Sequence, residues 1–319
     1  MSLRMDDITQ SRMDESLSAL IPESAGGCEG LYGPGSVTWR ISREAMLFAG
    51  SWRAALLQLA HPWVAQSILE HSTTTQDPVG RFHRTFQVVF SMMYGDLPRV
   101  RRVSRALHDL HAGVTGRLPG GGAYAANGHR AMTWVLATLW DTSLRMHDVW
   151  VHPLLEGEKD AYVREGRRFA RCFGIDPDAM PGTWSGLQEW MNGWITRGEV
   201  SVGPVAAELG RFLFAAPQIP LGRVVFPLAR RFTALHMPEP LRAGFGLPGP
   251  GRAEAALWAA LAVSARAGRR LLPRRIRWLP VYFEAMERLA GRRAPSRLTR
   301  IMNRLWVGRP ELVSASFPP

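Results

Sequence analysis

The turn at residues 94–98 is the segment that most constrains the fold of this chain. Its Gly, Asp and Pro residues end one helix-forming segment and begin another, so the two segments must fold back on each other. Arg81 lies fourteen residues before Gly95, and His111 lies fourteen residues after Leu97. At about 1.5 Å rise per residue, both are predicted to lie roughly 21 Å from the turn. The sequence therefore predicts an antiparallel helix pair with a cation and a possible metal ligand at one level.

The composition indicates a globular protein with a substantial apolar core. The chain has 319 residues, of which 46% are hydrophobic, enough for one large domain or two small ones. Its two cysteines form neither a disulfide framework nor a paired zinc motif, which favours a reducing compartment. The N-terminus lacks the apolar core of a signal peptide, and the longest apolar run covers about half of a bilayer. We therefore expect a cytoplasmic protein.

Apolar residues recur at helical spacing along most of the chain, and no segment alternates as a strand does. The sequence therefore predicts an all-α fold, a single globular multi-helix bundle with apolar central helices. We predict a loose N-terminal arm at residues 1–35, a main domain at 36–250, and a basic helical extension at 251–319 packed on that domain. The glycine-rich segment 116–122 is interpreted as a linker. The predicted helices span residues 43–60, 62–70, 78–94, 98–114, 128–150, 157–173, 183–196, 202–214, 221–235, 253–271 and 279–289, with a short one near 13–20.

The positive charge of the chain is carried almost entirely by arginine. The net charge is +12, and Lys159 is the only lysine. Arginine suits phosphates, carboxylates and membrane surfaces, although biased codon usage gives the same composition. A basic amphipathic stretch can lie on an anionic membrane surface, or it can be the solvated face of a docked helix. No nucleic-acid motif accompanies the charge, so we expect no nucleic-acid partner. The C-terminal arginines are Arg269, Arg270, Arg274, Arg275, Arg277, Arg292, Arg293, Arg297, Arg300 and Arg304.

Histidines and arginines are the candidate functional residues. His108 and His111 are three residues apart and can share a helix face. The sequence has no Glu-x-x-His pair of a di-iron bundle, no H-E-x-x-H and no G-x-S-x-G, which disfavours non-haem di-iron and serine-nucleophile chemistry. Arg81, Arg84 and Thr85 line one helix face. Two cations and a hydroxyl at this spacing can bind an anion or orient a polarised oxygen, or they can form a salt-bridged surface.

A series of motifs over residues 40–250 resembles the MpaB / rubber oxygenase (latex-clearing protein) family. In chain order they are Leu57-Gln58-Leu59-Ala60-His61-Pro62, His71-Ser72, Asp77-Pro78 with Gly80-Arg81 and Arg84-Thr85, Tyr94-Gly95-Asp96, His111 with Val114 and Gly116, Tyr124, Trp134-Val135 with Ala137-Thr138-Leu139, and Pro240 with Arg242 and Gly244-Phe245-Gly246-Leu247-Pro248.

The resemblance implies an all-helical oxidoreductase that binds haem b and acts with dioxygen on a hydrophobic, unsaturated or isoprenoid small molecule. His111 matches the histidine that is the axial ligand of the haem iron. Arg81, Arg84 and Thr85 match the element on the oxygen side, and Arg81 is also expected to contact the cofactor. Trp63, Phe86, Phe90 and Trp134 are expected to exclude water and to hold the apolar substrate. Peripheral membrane contact through the C-terminal arginines is a further expectation.

One position departs from the family pattern. Relatives usually carry Trp-Val-His-Ala-Thr-Leu, whereas this chain has Leu136 in place of the histidine. We assign the axial position to His111 and expect Leu136 to change the surroundings of the haem. Two alternatives stay open: a non-catalytic helical protein that binds haem or an apolar ligand, and a membrane-surface interaction protein.

Overall fold

The computed structural model describes residues 7–21, 29–215 and 222–314. These residues form sixteen α-helices, three 3-10 helices and one two-stranded antiparallel sheet, which confirms the predicted all-α class. No helix in this part of the chain has the length and apolarity needed to cross a bilayer. The helices are α1 (Gln10–Leu20), α2 (Val37–Ser42), α3 (Ser51–Leu59), α4 (Pro62–His71), α5 (Pro78–Tyr94), α6 (Leu97–Ala112), α7 (His129–Trp150), α8 (Glu156–Ala170), α9 (Trp184–Thr196), α10 (Pro204–Leu213), α11 (Gly222–His236), α12 (Glu239–Gly244), α13 (Arg252–Arg269), α14 (Arg274–Arg277), α15 (Pro280–Leu289) and α16 (Arg297–Val307). The strands are β1 (Thr115–Arg117) and β2 (Ala123–Ala125), and the 3-10 helices are Ala45–Gly50, Arg171–Phe173 and Pro177–Ala179.

The helix α7 lies at the centre of the bundle. Helices α3, α8, α9 and α13 pack around it, together with the 3-10 helix Ala45–Gly50. A helix that is apolar on most sides is stable only when other elements cover those sides. The apolar central helices predicted from the sequence are thus present in α7 and α3. Their fully buried residues include Leu56, Leu57, Trp134, Leu136, Ala137, Leu144 and Met146.

The prediction of one helix over residues 43–60 is wrong in its first half. The 3-10 helix Ala45–Gly50 separates α2 from α3. Glu44 is extended and buried, and its carboxylate accepts hydrogen bonds from Trp278 Nε1 at 3.0 Å and Arg269 Nε at 3.2 Å. A Cβ on Gly50 would lie 2.5 Å from Cγ of Met146, so glycine permits the close approach to α7. The break between α2 and α3 therefore depends on contacts with residues distant in the sequence.

The α5–α6 hairpin confirms the turn predicted at residues 94–98. Asp77 caps α5 by accepting a hydrogen bond from the Gly80 amide at 2.8 Å. Asp96 caps α6 by accepting one from the Arg99 amide at 2.9 Å. A Cβ on Gly95 would lie 2.2 Å from the Ser91 carbonyl oxygen, so the turn requires glycine. The two helices pack along each other, as the local signals indicate.

The N-terminal segment is not the loose arm predicted for residues 1–35, at least where it is described. Met13, Leu17 and Leu20 of α1 are buried, and Ser16 Oγ donates to the Arg171 carbonyl oxygen at 3.0 Å. Cys28 lies outside the described residues, whereas Cys172 is buried with a free thiol. One face of α1, together with Ile8 and Ile21, therefore belongs to the core.

The prediction of no strand is wrong at one place. β1 and β2 pair in the register Thr115 with Ala125 and Arg117 with Ala123. Gly121 and Gly122 have φ of 88° and 82°, which fits the tight connection between the strands. The segment interpreted as a glycine-rich linker is thus a hairpin directly after α6.

The C-terminal helices pack on the bundle. Four helices of the structure were not predicted from the sequence: α2, α12, α14 and α16. The Glu284 carboxylate of α15 is buried and accepts hydrogen bonds from Asn303 Nδ2 at 2.7 Å and from the Leu312 and Val313 amides at 2.8 and 2.7 Å. One carboxylate therefore fixes α16 and the segment that follows it.

A buried ion network joins four helices. Arg53 of α3 and Asp141 of α7 form an ion pair at 2.6 Å, with 3% and 2% of their side chains exposed. Arg145 Nε and Gln188 Nε2 also bind Asp141, at 2.9 and 2.6 Å, and Arg53 Nε donates to the carbonyl oxygen of His236 in α11 at 2.8 Å. Burial alone would raise the pKa of Asp141, but the two arginines hold that pKa below its usual range.

Arg53→Met is expected to destabilise the protein by about 3–5 kcal/mol, because it leaves a buried carboxylate without its closest cationic partner. Arg231→Met is the matched control, because the Arg231–Glu254 pair at 3.0 Å has 58% and 21% of its side chains exposed. The control is expected to cost less than about 1 kcal/mol. Urea unfolding followed by circular dichroism measures both. Equal losses in the two variants would contradict the importance of the network.

The protein is expected to lose stability as the pH falls from about 7 to about 4.5. His61 Nδ1 accepts a hydrogen bond from the Trp63 amide at 3.3 Å, and burial, followed by the charge of Arg130, lowers the pKa of His61 to about 4. The unfolded chain, in which this pKa is near 6.5, binds the proton first. The contribution of His61 is therefore complete above pH 6.5 and is lost as the pH falls toward 4.

His61→Asn tests this dependence, because asparagine keeps a helix-capping acceptor but does not titrate. The unfolding free energy of the variant is expected to fall less steeply with decreasing pH than that of the unaltered protein. The same slope in both proteins would show that His61 does not contribute to the pH dependence.

Candidate functional site

Arg81 and His111 lie on the two helices of the hairpin, α5 and α6, and the charge of Arg81 acts on the His111 imidazole. Burial, followed by the charges of Arg81 and His108, lowers the pKa of His111 to about 4. The imidazole is therefore neutral at neutral pH, which is the form that binds a metal. Its Nδ1 atom is buried and has no hydrogen-bond partner. His108 Nδ1, on the same helix, is likewise buried without a partner. A buried neutral nitrogen in this state is available to a ligand.

The guanidinium of Arg81 has hydroxyl partners but no acidic one. Its Nε donates to Ser72 Oγ at 3.1 Å and its Nη1 to Thr85 Oγ1 at 2.9 Å. No carboxylate of the described residues forms an ion pair with it. Burial, followed by the charge of Arg84, lowers the pKa of Arg81. A half-buried cation without a counter-ion among the described residues favours the binding of an anion.

Arg84 and Thr85 occupy different positions relative to this site. Arg84 pairs with Asp77 at 3.1 Å, donates to Thr73 Oγ1 at 2.7 Å, and has 52% of its side chain exposed. It thus holds the segment before α5 at the rim of the site. Thr85 both accepts from Arg81 and donates to the Arg81 carbonyl oxygen at 2.9 Å, so it orients that guanidinium.

A hydrogen-bond network behind the site connects α4 to the β-hairpin that follows His111. His71 Nε2 lies 3.1 Å from Tyr124 Oη and 3.2 Å from the Thr115 carbonyl oxygen. Tyr124 Oη donates to Glu70, whose other oxygen accepts from Gln66 Nε2 at 2.6 Å. Burial, together with the Glu70 carboxylate, raises the pKa of Tyr124, so its phenol stays a donor. The network fixes the chain after His111.

The sequence did not assign a role to this network. His71 and Tyr124 belong to the motifs noted above, but Glu70 does not, and the three come from α4 and β2. A Cβ on Gly116 would lie 2.6 Å from Tyr124 Oη and 2.7 Å from Glu70 Oε2. Gly116 is the one residue whose type could have indicated, from the sequence, that the backbone lies close to Tyr124 and Glu70.

Aromatic side chains cover another face of α5. The Phe48 ring lies 4.7 Å from Phe86 and 6.1 Å from Phe90, and Phe82 lies 4.5 Å from Phe86. A cavity of about 250 Å³ opens at the end of this row. It is lined by Phe48, Ser51, Trp52, Phe82, Leu305 and Trp306.

The two tryptophans that were expected to hold substrate, Trp63 and Trp134, do not belong to the aromatic face of α5. Trp134 is fully buried, stacks on Trp194 with centroids 5.7 Å apart, and donates to the Leu57 carbonyl oxygen at 2.7 Å. Trp63 packs against Gly128. Leu136, at the position where relatives carry histidine, is 1% exposed and belongs to the core. Trp134 and Leu136 are therefore core residues, which their motifs did not indicate.

His108 uses one of its two ring nitrogens to hold the fold. Its Nε2 lies 2.9 Å from the Ile8 carbonyl oxygen, so it anchors the segment before α1. In the residues that the structure covers, no three His, Cys, Asp or Glu side chains are grouped as ligands of a metal ion. The sequence-predicted residues that do come together are Arg81, Thr85 and His111.

The comparison with protein families agrees with the motif order. The family model described as ER-bound oxygenase mpaB/B'/Rubber oxygenase, catalytic domain, matches residues 39–267. Neither a curated protein nor a solved structure gives a significant match. The matched range contains the α5–α6 hairpin and extends beyond the predicted boundary at residue 250 through most of α13. The chain therefore belongs to the MpaB / rubber oxygenase family and contains its oxygenase-like catalytic domain.

Proposed function

We propose that this protein is a haem-b-dependent oxygenase that acts with dioxygen on a hydrophobic small molecule, with unsaturated and isoprenoid chains as the first class to test. The observation that carries the proposal is the pair formed by His111 and Arg81. The imidazole is neutral and its buried Nδ1 has no partner, whereas the guanidinium has no carboxylate partner. Family membership supplies the reaction class.

The donor set fits haem b. The porphyrin itself provides nitrogens to the iron, so one histidine of the protein would be enough to hold the group. His111 is proposed as that histidine. The carboxylates of the haem propionates require cations, and Arg81 is proposed to bind one of them. Haem b, when bound, supplies the activation of dioxygen, which amino-acid side chains do not provide.

The residues around His111 are proposed to bind and orient the cofactor and to exclude water. Arg81 would donate charge-assisted hydrogen bonds to an anionic oxygen of the cofactor, and Thr85 holds the guanidinium in the direction from which it does so. Arg84, paired with Asp77, holds the loop that carries Ser72. Phe82 and Phe86 lie on another face of α5, where they pack with Phe48 and exclude water from that side of the helix.

Leu136 favours a second candidate function, that of a non-catalytic helical protein that binds haem or an apolar ligand. In either case we propose a cytoplasmic location with peripheral membrane contact through the C-terminal arginines. Oxygen uptake with polyprenyl or fatty substrates separates the two candidates, because only the oxygenase consumes dioxygen.

The full chain, produced with a supply of haem, is expected to show a Soret band, and His111→Ala is expected to abolish it. His152→Ala is the matched control, because this histidine is exposed and its Nδ1 lies 2.9 Å from the Pro153 carbonyl oxygen. Absorption spectra of the three purified proteins are the measurement. A band that survives unchanged in His111→Ala would refute the axial assignment, and a colourless protein that takes up no added haem would refute the proposed function.

Arg81→Met is expected to lower the oxygen-uptake rate by about 10²-fold, as the loss of a preorganised donor does. It is also expected to raise the pKa of His111 in the haem-free protein, because Arg81 contributes to lowering it. NMR titration of the imidazole measures this second effect without any catalysis.

Arg84→Met is the comparison for Arg81→Met, because the two cations are neighbours on α5 but Arg84 is paired and exposed. A smaller effect on both the rate and the His111 pKa is expected. If Arg84→Met matched Arg81→Met in both measurements, the distinct role of Arg81 would be wrong.

A further inference from the structure

The helix α16 is oriented with its apolar side toward solvent. Thr299, Asn303 and Val307 face the bundle and are 1%, 0% and 0% exposed. The large apolar residues of the opposite side are open: Leu298 is 50%, Ile301 47% and Leu305 70% exposed. A helix docked on a globular core normally buries its apolar stripe. In α16 two of the three buried residues are polar instead.

Specific hydrogen bonds hold α16 in this orientation. Asn303 Nδ2 donates to Glu284 at 2.7 Å, and Thr299 Oγ1 donates to Glu287 at 3.2 Å. Because these carboxylates belong to α15, rotation of α16 would leave buried polar groups without partners. The outward apolar stripe is thus fixed by the fold.

Arginines border the exposed stripe. Arg297, Arg300 and Arg304 are exposed, and at 100° per residue they lie together along one edge of Leu298, Ile301 and Leu305. α16 itself contains no acidic residue. The only ion pair of these three arginines in the described chain joins Arg300 to Glu311 at 3.4 Å. The surface therefore combines exposed leucine and isoleucine with the charges of Arg297 and Arg304, which form no ion pair in the described chain.

The neighbouring segment repeats this combination. Arg275 of α14 donates to Thr299 Oγ1 at 2.8 Å, which places α14 beside the start of α16. Ile276 is 60% exposed, and Leu271 and Leu272, just before α14, are 87% and 46% exposed. The cavity described above lies at the other end of α16, because Leu305 and Trp306 line it.

We propose that α16 and the segment 271–277 dock this protein on the surface of an anionic lipid bilayer. The leucine and isoleucine side chains enter the boundary between headgroups and acyl chains, and the arginines bind lipid phosphates. Charge complementarity favours this occupant, because the chain carries a net charge of +12. The cavity beside Leu305 then opens where an apolar molecule leaves the bilayer. The proposal develops the peripheral membrane contact proposed above and does not depend on haem.

Co-sedimentation of the full chain with vesicles tests the proposal. Vesicles of phosphatidylcholine with about 30% phosphatidylglycerol are expected to bind the protein, whereas pure phosphatidylcholine vesicles are not, and added salt is expected to weaken binding. Leu305→Gln is expected to weaken binding on the order of tenfold. Arg297→Gln with Arg304→Gln is expected to weaken it by a similar factor.

Leu155→Gln is the matched control, because Leu155 is 74% exposed but lies at the start of α8. It is expected to bind vesicles as the unaltered protein does, and thermal unfolding of all variants checks that they are folded. Equal binding to neutral and anionic vesicles would overturn the proposal, as would binding unchanged by both sets of substitutions. Self-association that Leu305→Gln abolishes, without vesicle binding, would assign the surface to a second copy of this chain. Because vesicle binding needs neither haem nor dioxygen, failure here is distinguishable from failure of the oxygenase proposal.

Discussion

The buried Arg53–Asp141 pair is the interaction on which the arrangement of the central helices depends. It connects α3 to α7 at 2.6 Å and reaches α9 through Gln188 and α11 through the His236 carbonyl oxygen. Apolar contacts alone allow helices to slide or rotate, because dispersion has little directionality. Charged groups that must keep their partners restrict the bundle to one register. This specificity carries a desolvation cost, since two ions leave water, and well-packed apolar side chains often stabilise a core as well as an ion pair does.

Local signals were sufficient for the part of the fold that positions the candidate site. The caps Asp77 and Asp96 and the glycine at 95 fix the ends of α5 and α6 within a few residues. The rise of an α-helix then places Arg81 and His111 at one level without any tertiary information. The proximity inferred from this arithmetic agrees with the effect of the Arg81 charge on the His111 pKa.

Other features depend on contacts between distant segments and were not predictable from local patterns. The break at residues 43–50 requires Glu44 to meet Trp278 and Arg269. The outward stripe of α16 requires Glu284 of α15, because helical periodicity alone would turn its leucines inward. The strands β1 and β2 are too short for alternation to be read from sequence. In the sequence Arg84 and Arg81 are equivalent cations, and only the ion pair of Arg84 with Asp77 distinguishes them.

At the candidate site, the affinity of His111 for a proton depends on whether an anion is bound to Arg81. Desolvation and the unpaired charge of Arg81 both favour a neutral His111. An anion that pairs with Arg81 offsets that charge, so it raises the affinity of His111 for a proton or for any other cation. By linkage, a cationic centre bound at His111 strengthens the binding of the anion at Arg81 by the same factor. A ligand that carries a positive metal and negative carboxylates in one molecule satisfies both residues at once, which neither a free metal ion nor a simple anion does. Because Thr85 and Ser72 hold the guanidinium in one position, the strength of this coupling depends on their hydrogen bonds to it.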